Sequence, residues 1–186
     1  SIFNGIPVEF VSSKSGELSF AINDILFAGS SPLLFQRIYS SNNTQDIGLG
    51  KGWNFSFNDK IEANAFEATL TNSSGEKYQF IGEGLRVDKG GNTEKFVLKN
   101  DEPAMTESFI VINQTTIKEK NEFAEKTYEK YGEAFFVTKI KLSNNDTINL
   151  ERHKDGRLAK ISNKIGEIAL KWSDGSKPRL LGLKDS

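Results

Sequence analysis

Few residues in this chain could do chemistry, and their surroundings argue against most of it. His153 is the only histidine, so any histidine-based dyad or triad would have to use it. Arg152 and Lys154 beside it would disfavour the imidazolium and leave a poor base, so it reads as a strand-end surface residue. Glu122, Glu125 and Glu129 would line one helix face and could converge on a cation if that segment were helical. Lys120, Lys126 and Lys130 interleave with them and make the segment a solvated charged face instead. Glycoside hydrolysis needs two carboxyl groups about 5–10 Å apart with separated pKa values, and no acidic pair is marked out for that. Gly48–Leu49–Gly50–Lys51–Gly52 lacks the Gly-Lys-Ser/Thr ending and the following helix of a phosphate loop. Trp53, Tyr39 and Phe55 could stack on a sugar if exposed, but aromatics alternating on one strand face are usually core. The reading is non-enzymatic, with no catalytic, cofactor-binding or metal-binding residue.

What remains is a structural motif. Leu33–Ser41 alternates with period two and reads as a strand. It carries Arg37, Tyr39, Ser40 and Ser41. Ser40–Asp46 is polar and turn-prone. Gly48, Gly50 and Gly52 then alternate with larger residues and leave one face bare, which a ring or a backbone can approach. Trp53 follows and is the expected ring; Arg37 could lie over Trp53 or Tyr39, or be an ordinary surface residue of the strand. On this reading Gly50→Val would cost several kcal/mol if a ring or a backbone packs against that glycine.

Composition fits an all-β chain. It has 186 residues, 37% hydrophobic and 11% aromatic, with fourteen Phe and sixteen Gly, enough for one core and unlike a disordered segment. Basic and acidic residues balance at 24 and 25, so no charge excess calls for nucleic acid. Cysteine is absent, which excludes disulfide frameworks and cysteine zinc sites. No apolar run is long enough for a membrane-spanning helix. The chain opens in strand-like sequence without an initiator Met or leader, as expected of a piece of a longer protein.

Hairpins follow one another along the chain. Strands are expected at Pro7–Val11, Glu17–Phe27 and Leu33–Ser41. Trp53–Ala63 loses phase near Asn58–Asp59, as at a bulge or a bend. Phe66–Thr71 pairs with Lys77–Ile81 across Asn72–Gly75, and Leu85–Val87 with Glu94–Leu98. A loop is expected at 100–107 and a strand at Ser108–Asn113. Ile117–Tyr131 fits helical spacing as well as weak alternation, and flanking hairpins favour strand. Ala134–Leu142, Thr147–His153, Leu158–Ser162, Glu167–Trp172 and Arg179–Leu183 complete the series. Turn glycines at 156, 166 and 175 recur every 10 and then 9 residues, the pattern of a meandering sheet that can wind on. Such a sheet has free edges, and free edges invite self-association.

Several of these features resemble the N-terminal segment of Rhs/YD-repeat proteins. Pro7–Val8, Ser15–Gly16–Glu17–Leu18 and Asn23–Asp24–Ile25 are similar to the family's opening. Arg37-x-Tyr39-Ser40-Ser41 and Gly50-x-Gly52-Trp53 follow, with Phe55, Phe57 and Ile61. Further on, Asn72–Gly75 with Tyr78 and Phe80 resembles the family's hairpins. Asp155–Gly156–Arg157–Leu158 with Ile161 resembles the core of a YD repeat, and Trp172–Ser173–Asp174–Gly175 stands where Tyr-Asp and a glycine turn would be. The Tyr-Asp dipeptide itself is absent, residues 100–131 do not fit the repeat, and the family's self-cleavage segment is missing, so no functional residue carries over from it.

The resemblance implies a Rhs-type segment over 1–62 and a hairpin region with degenerate repeats over 63–186, parts of one spiralling β-shell. It implies a secreted or cell-surface, non-enzymatic wall that houses or delivers a C-terminal toxin in bacterial competition. The partners would be the rest of the shell and the enclosed polypeptide. Arg37, Tyr39, Ser41, Gly48, Gly50, Gly52, Trp53, Asp155, Gly156 and Arg157 would be its structural motif residues. The alternative is a β-module that binds a glycan or protein on a cell surface, using exposed aromatics and loops such as Ser40–Asp46.

Overall fold

The fold comes from a computed structural model that describes residues 7–12, 16–64, 67–88, 91–98, 109–112, 116–120 and 122–186. The expected loop at 100–107 lies outside them, as do the turn centres at 13–15 and 89–90. Every regular element among the described residues is a strand, and every pairing is antiparallel.

The first sheet holds β1 (Pro7–Ser12), β2 (Glu17–Phe27), β3 (Leu33–Ser40) and β4 (Trp53–Phe55) in that order. The chain then changes sheet. Residues 56–59, where alternation fails, are this crossing rather than a bulge within one strand, and Phe57 adopts a φ of 66° there. The second sheet begins with β5 (Lys60–Ala63), β6 (Glu67–Thr71), β7 (Lys77–Asp88) and β8 (Gly91–Leu98). Two strands expected within 77–87 are thus one, with a register shift between Gly82 and Leu85. β9 (Phe109–Ile112), β10 (Thr116–Lys120) and β11 (Ala124–Tyr131) follow. The ambiguous segment 117–131 is a hairpin, so strand prevails over helix.

β12 (Ala134–Leu142) closes the circuit. On one side it pairs along its length with β11. On the other side Phe135 and Phe136 face Ile61 and Lys60 of β5, while Lys139–Lys141 pair with β13 (Thr147–Arg152). β5 to β12 therefore form a ring of eight strands, which removes their edges. The sequence reading of a simple meander missed this closure. From the fork in β12, the meander runs on through β13, β14 (Leu158–Ser162), β15 (Glu167–Trp172) and β16 (Leu180–Asp185).

One apolar cluster unites the two sheets. Leu33, Phe35 and Phe55 of the first sheet belong to it, with Leu158, Ile161 and Ile168 of the meander and Ile61, Phe80, Ile117 and Tyr128 of the ring. Register sets the inward faces. Ile61 opposes Leu70 and Phe135, and Tyr128 opposes Ile117 and Val137, all of them buried. Burial of this kind is worth about 1.5–3 kcal/mol per large side chain. The β2–β3 turn docks on the meander's turns: the Ser31 hydroxyl donates to Asp146, Asn163 donates to the Ser31 carbonyl at 3.1 Å, and the Phe27 ring lies against Gly166.

Candidate functional site

Arg37 stands mid-strand on β3, opposite Ile22 and Phe55. Asp24 is skipped by the β2–β3 register between Asn23 and Ile25, and this bulge turns its carboxylate towards Arg37. The result is a bidentate pair: Nε to Oδ2 at 2.7 Å and Nη2 to Oδ1 at 3.0 Å, with the Asp24 side chain 1% exposed. The guanidinium also lies 5.7 Å from the Trp53 ring centre. Tyr39 stacks on Phe20 at 5.1 Å, and Trp53 meets both edge-on at 5.4 Å. Trp53 and Tyr39 are thus half-buried in a ring cluster, and Phe55 is 1% exposed. Ser40 donates to Glu17 at 2.5 Å, and the Ser41 hydroxyl accepts the Leu18 N–H at 3.0 Å.

The glycine segment is a loop between β3 and β4. Its rings are differently assigned. A Cβ at Gly48 would meet the Pro178 carbonyl oxygen at 2.6 Å and the Trp172 ring at 2.8 Å; at Gly52 it would meet Tyr39 at 2.6 Å. At Gly50 the nearest atom, on Trp53, is at 3.6 Å, an ordinary contact. The Gly50→Val expectation therefore rests on backbone strain at φ +107° and not on ring packing. Gly48 and Gly52 are the positions the fold crowds, and the ring against Gly48 comes from β15.

Asp46 organises this loop. Its Oδ1 accepts the Gly48 and Gly50 N–H groups at 2.8 and 2.9 Å, and its Oδ2 accepts Arg179 Nη1 at 2.6 Å. These bonds, led by the Gly48 N–H, hold its carboxyl down at about 2. An array of loop N–H groups suited to an outside anion is thus filled by the chain's own carboxylate. The Leu180 N–H donates to the Gly48 carbonyl at 2.9 Å and ties β16 to the same loop.

Arg37, Gly48, Leu49, Trp53, Arg179 and Leu180 line a cleft of about 300 Å³. Both guanidinium groups in it already face carboxylates, Asp24 and Asp46. The cleft offers an anion no unbalanced charge, and its arrangement is that of a clamp between the N-terminal sheet and the last two strands.

Asp155, Gly156 and Arg157 make the β13–β14 turn, away from the Arg37 cluster. Gly156 takes φ +93° and lies against Phe136, where a Cβ would come within 2.9 Å. Asp155 accepts Arg157 Nε at 2.6 Å, and Arg157 lies 5.3 Å from the Trp172 ring centre. Trp172 donates its indole N–H to the Leu158 carbonyl at 2.8 Å. Trp172 therefore joins the two motif groups, with Gly48 on one side and Arg157 on the other.

Sequence reasoning missed the buried Glu119 and the half-buried Lys126, Asp59 and Arg152 in and beside the ring. Lys126, expected on a solvated face, reaches Asp59 at 3.1 Å and opposes Glu119 across β10–β11. Burial works to lower the Lys126 pKa, but the Asp59 and Glu119 carboxylates outweigh it and raise the pKa. Tyr128 donates to Glu119 at 2.9 Å, and burial lifts the Glu119 carboxyl above its usual range. Arg152 donates to the carbonyls of Phe57, Val137 and Gly156 at 2.7, 2.9 and 3.0 Å, and to Asn58 at 3.2 Å. It also lies 5.1 Å from the Phe136 ring centre, and burial lowers its pKa to about 10. The only hint in the sequence was alternation: Glu119 and Lys126 fall on the strand faces that carry Ile117 and Tyr128.

Glu122, Glu125 and Glu129 do not converge. Glu125 instead accepts Lys118 and Lys120 at 3.4 and 3.0 Å. His153 is exposed, with its backbone in the turn. Among the described residues, no group of three or more acidic, histidine or cysteine side chains is placed to hold a metal ion.

Residues 8–80 match the family model described as Domain of unknown function (DUF6531). The match takes in Arg37, the glycine loop and Trp53, and stops short of the residues that clamp them. No curated protein matches the chain.

Proposed function

We propose that this chain is a non-enzymatic wall segment of a Rhs/YD-repeat protein, secreted or displayed at the cell surface, whose shell houses or delivers a C-terminal toxin. The observation that carries this reading is the clamp. The motif residues from 37 to 53 spend their polar groups and bare glycines on fixing β15 and β16, through Trp172, Arg179 and Leu180. They act as a fixed start for a meander of short strands and glycine turns. Its last strand, β16, has β15 as its one neighbour among the described residues and exposes Leu181. A strand with an unpaired side is a template for another, either further wall or a second copy of the chain.

The test uses the full-length parent protein, with mass measured under native and denaturing conditions. A separate C-terminal polypeptide released only on denaturation supports the wall. A single intact chain with nothing enclosed overturns it and leaves the ligand-binding alternative.

A further inference from the structure

A second cleft lies on the other side of the glycine loop, and no motif accounts for it. It measures about 320 Å³ and is lined by loop residues 42–45 and 47, by Lys60 and Glu62 of β5, Thr71 of β6 and Lys77 of β7, and by Phe136. Its lining is rich in carboxamides: Asn42, Asn43, Gln45, Asn54, Asn58 and Asn72.

The internal hydrogen bonds sort these groups. The Oδ1 atoms are largely occupied. Asn43 Oδ1 accepts the Gln45 N–H, Asn54 Oδ1 accepts the Phe55 N–H and Asn58 Nδ2, Asn58 Oδ1 accepts Arg152, and Asn72 Oδ1 accepts the Ser74 and Glu76 N–H groups. The side-chain groups that the internal bonds among the described residues do not use are Asn43 Nδ2, Asn54 Nδ2, both ends of the Asn42 and Gln45 carboxamides, and the Lys77 ammonium. Lys60 pairs with Glu62 at 3.5 Å, a long contact. The cleft therefore presents amide donors and acceptors, with Glu62 in its lining paired to Lys60 and Lys77 outside any ion pair among the described residues, which suits a hydroxyl-rich ligand carrying one negative charge. Arg152 and Gly156 lie against the Phe136 ring. Recognition here would rest on hydrogen bonds and one carboxylate-sized charge, and the volume suits one or two sugar rings.

We propose that this cleft binds an acidic saccharide, with hydroxyl and ring oxygens on Asn43 and Asn54 and a carboxylate on Lys77. The inference stands apart from the wall reading, since a wall segment can carry such a cleft or lack it.

The probe is digalacturonate, titrated into the 186-residue chain and followed by the side-chain amide signals of ¹⁵N-labelled protein. The expected result is saturable shifts of the Asn43 and Asn54 NH₂ pairs. Maltose, neutral and of equal size, should bind at least tenfold more weakly. Asn43→Asp keeps the oxygen that caps Gln45 and replaces the donor with a charged acceptor. Lys77→Gln removes the charge from an exposed position. Each should weaken digalacturonate at least tenfold while the melting temperature stays within a few degrees of the parent. No shifts at millimolar probe, equal binding of maltose, or unchanged binding in both variants would each overturn the proposal. Equal shifts with acetate alone would do the same, reducing the site to a carboxylate contact.

Discussion

Gly48→Ala tests whether Trp172 and the Pro178 carbonyl really close on the glycine loop. Two costs combine in that substitution. An L-residue at φ +103° carries a strain of about 1–2 kcal/mol. The added methyl would also stand 2.6 Å from a backbone oxygen and 2.8 Å from an indole carbon. The carbonyl belongs to the segment that brings in Arg179 and cannot swing away alone, so the ring and strand must shift. Overpacking of that kind costs about 1–3 kcal/mol more. Gly175→Ala is the matched control, with φ +109° and nothing within 4 Å of the added methyl, so it carries the strain alone. For a chain of this size each kcal/mol moves the melting temperature by about 2–4 °C. Gly48→Ala should therefore melt about 2–12 °C below Gly175→Ala. Thermal unfolding by circular dichroism measures the difference, and Trp172 emission should shift towards the red in the Gly48 variant only. If the two variants melt together, the clamp is not formed as described.

Two further outcomes follow from the buried and charged groups. Arg152→Ala removes the donor that three carbonyls and Asn58 share and should destabilise by about 1.5–3 kcal/mol, the range for losing hydrogen bonds to a charged group. Arg152→Lys should recover little of this, because one ammonium cannot reach all four acceptors, and urea unfolding reads both. The Asp46 carboxyl sits at about 2 when folded, against 3.8 as its ordinary value. Its contribution is therefore present above about pH 4 and lost as pH falls towards 2. Asp46→Asn should flatten the stability profile in that window and leave its shape above about pH 5 unchanged.

Strand periodicity and turn chemistry were legible because they are local. Glu17–Phe27, Ala134–Leu142, Leu158–Ser162 and Glu167–Trp172 alternate clearly and end at turn residues, and their bounds match the structure. The Arg37–Trp53 contact was legible because the residues share neighbouring strands. What escaped was long-range. Asp59 and Lys126 are brought together by ring closure, and nothing in either neighbourhood marks the other. Trp53 follows the glycines in sequence, yet Trp172 takes the crowded place at Gly48, since which ring fills a bare face depends on which strand packs there. The crossing at 56–59 read as a bulge because loss of phase looks the same whether a strand bends or the chain leaves its sheet.

The ring and the clamp also bear on how the chain can fold as it is synthesised. β5 is complete at Ala63, but the neighbour that seals its second edge is β12, which begins at Ala134. The loop ordered by Asp46 waits longer, for Trp172 and Arg179. A nascent chain emerging N-terminus first would therefore hold β5 unsealed until β12 has left the ribosome, and the glycine loop unclamped until Arg179 has followed. Residues 8–80, although they match a domain by sequence, are on this account no autonomous folding unit. Cut at that boundary, they would expose Phe55 and Ile61 to water. A series of C-terminal truncations should become soluble only once the chain extends past Arg179.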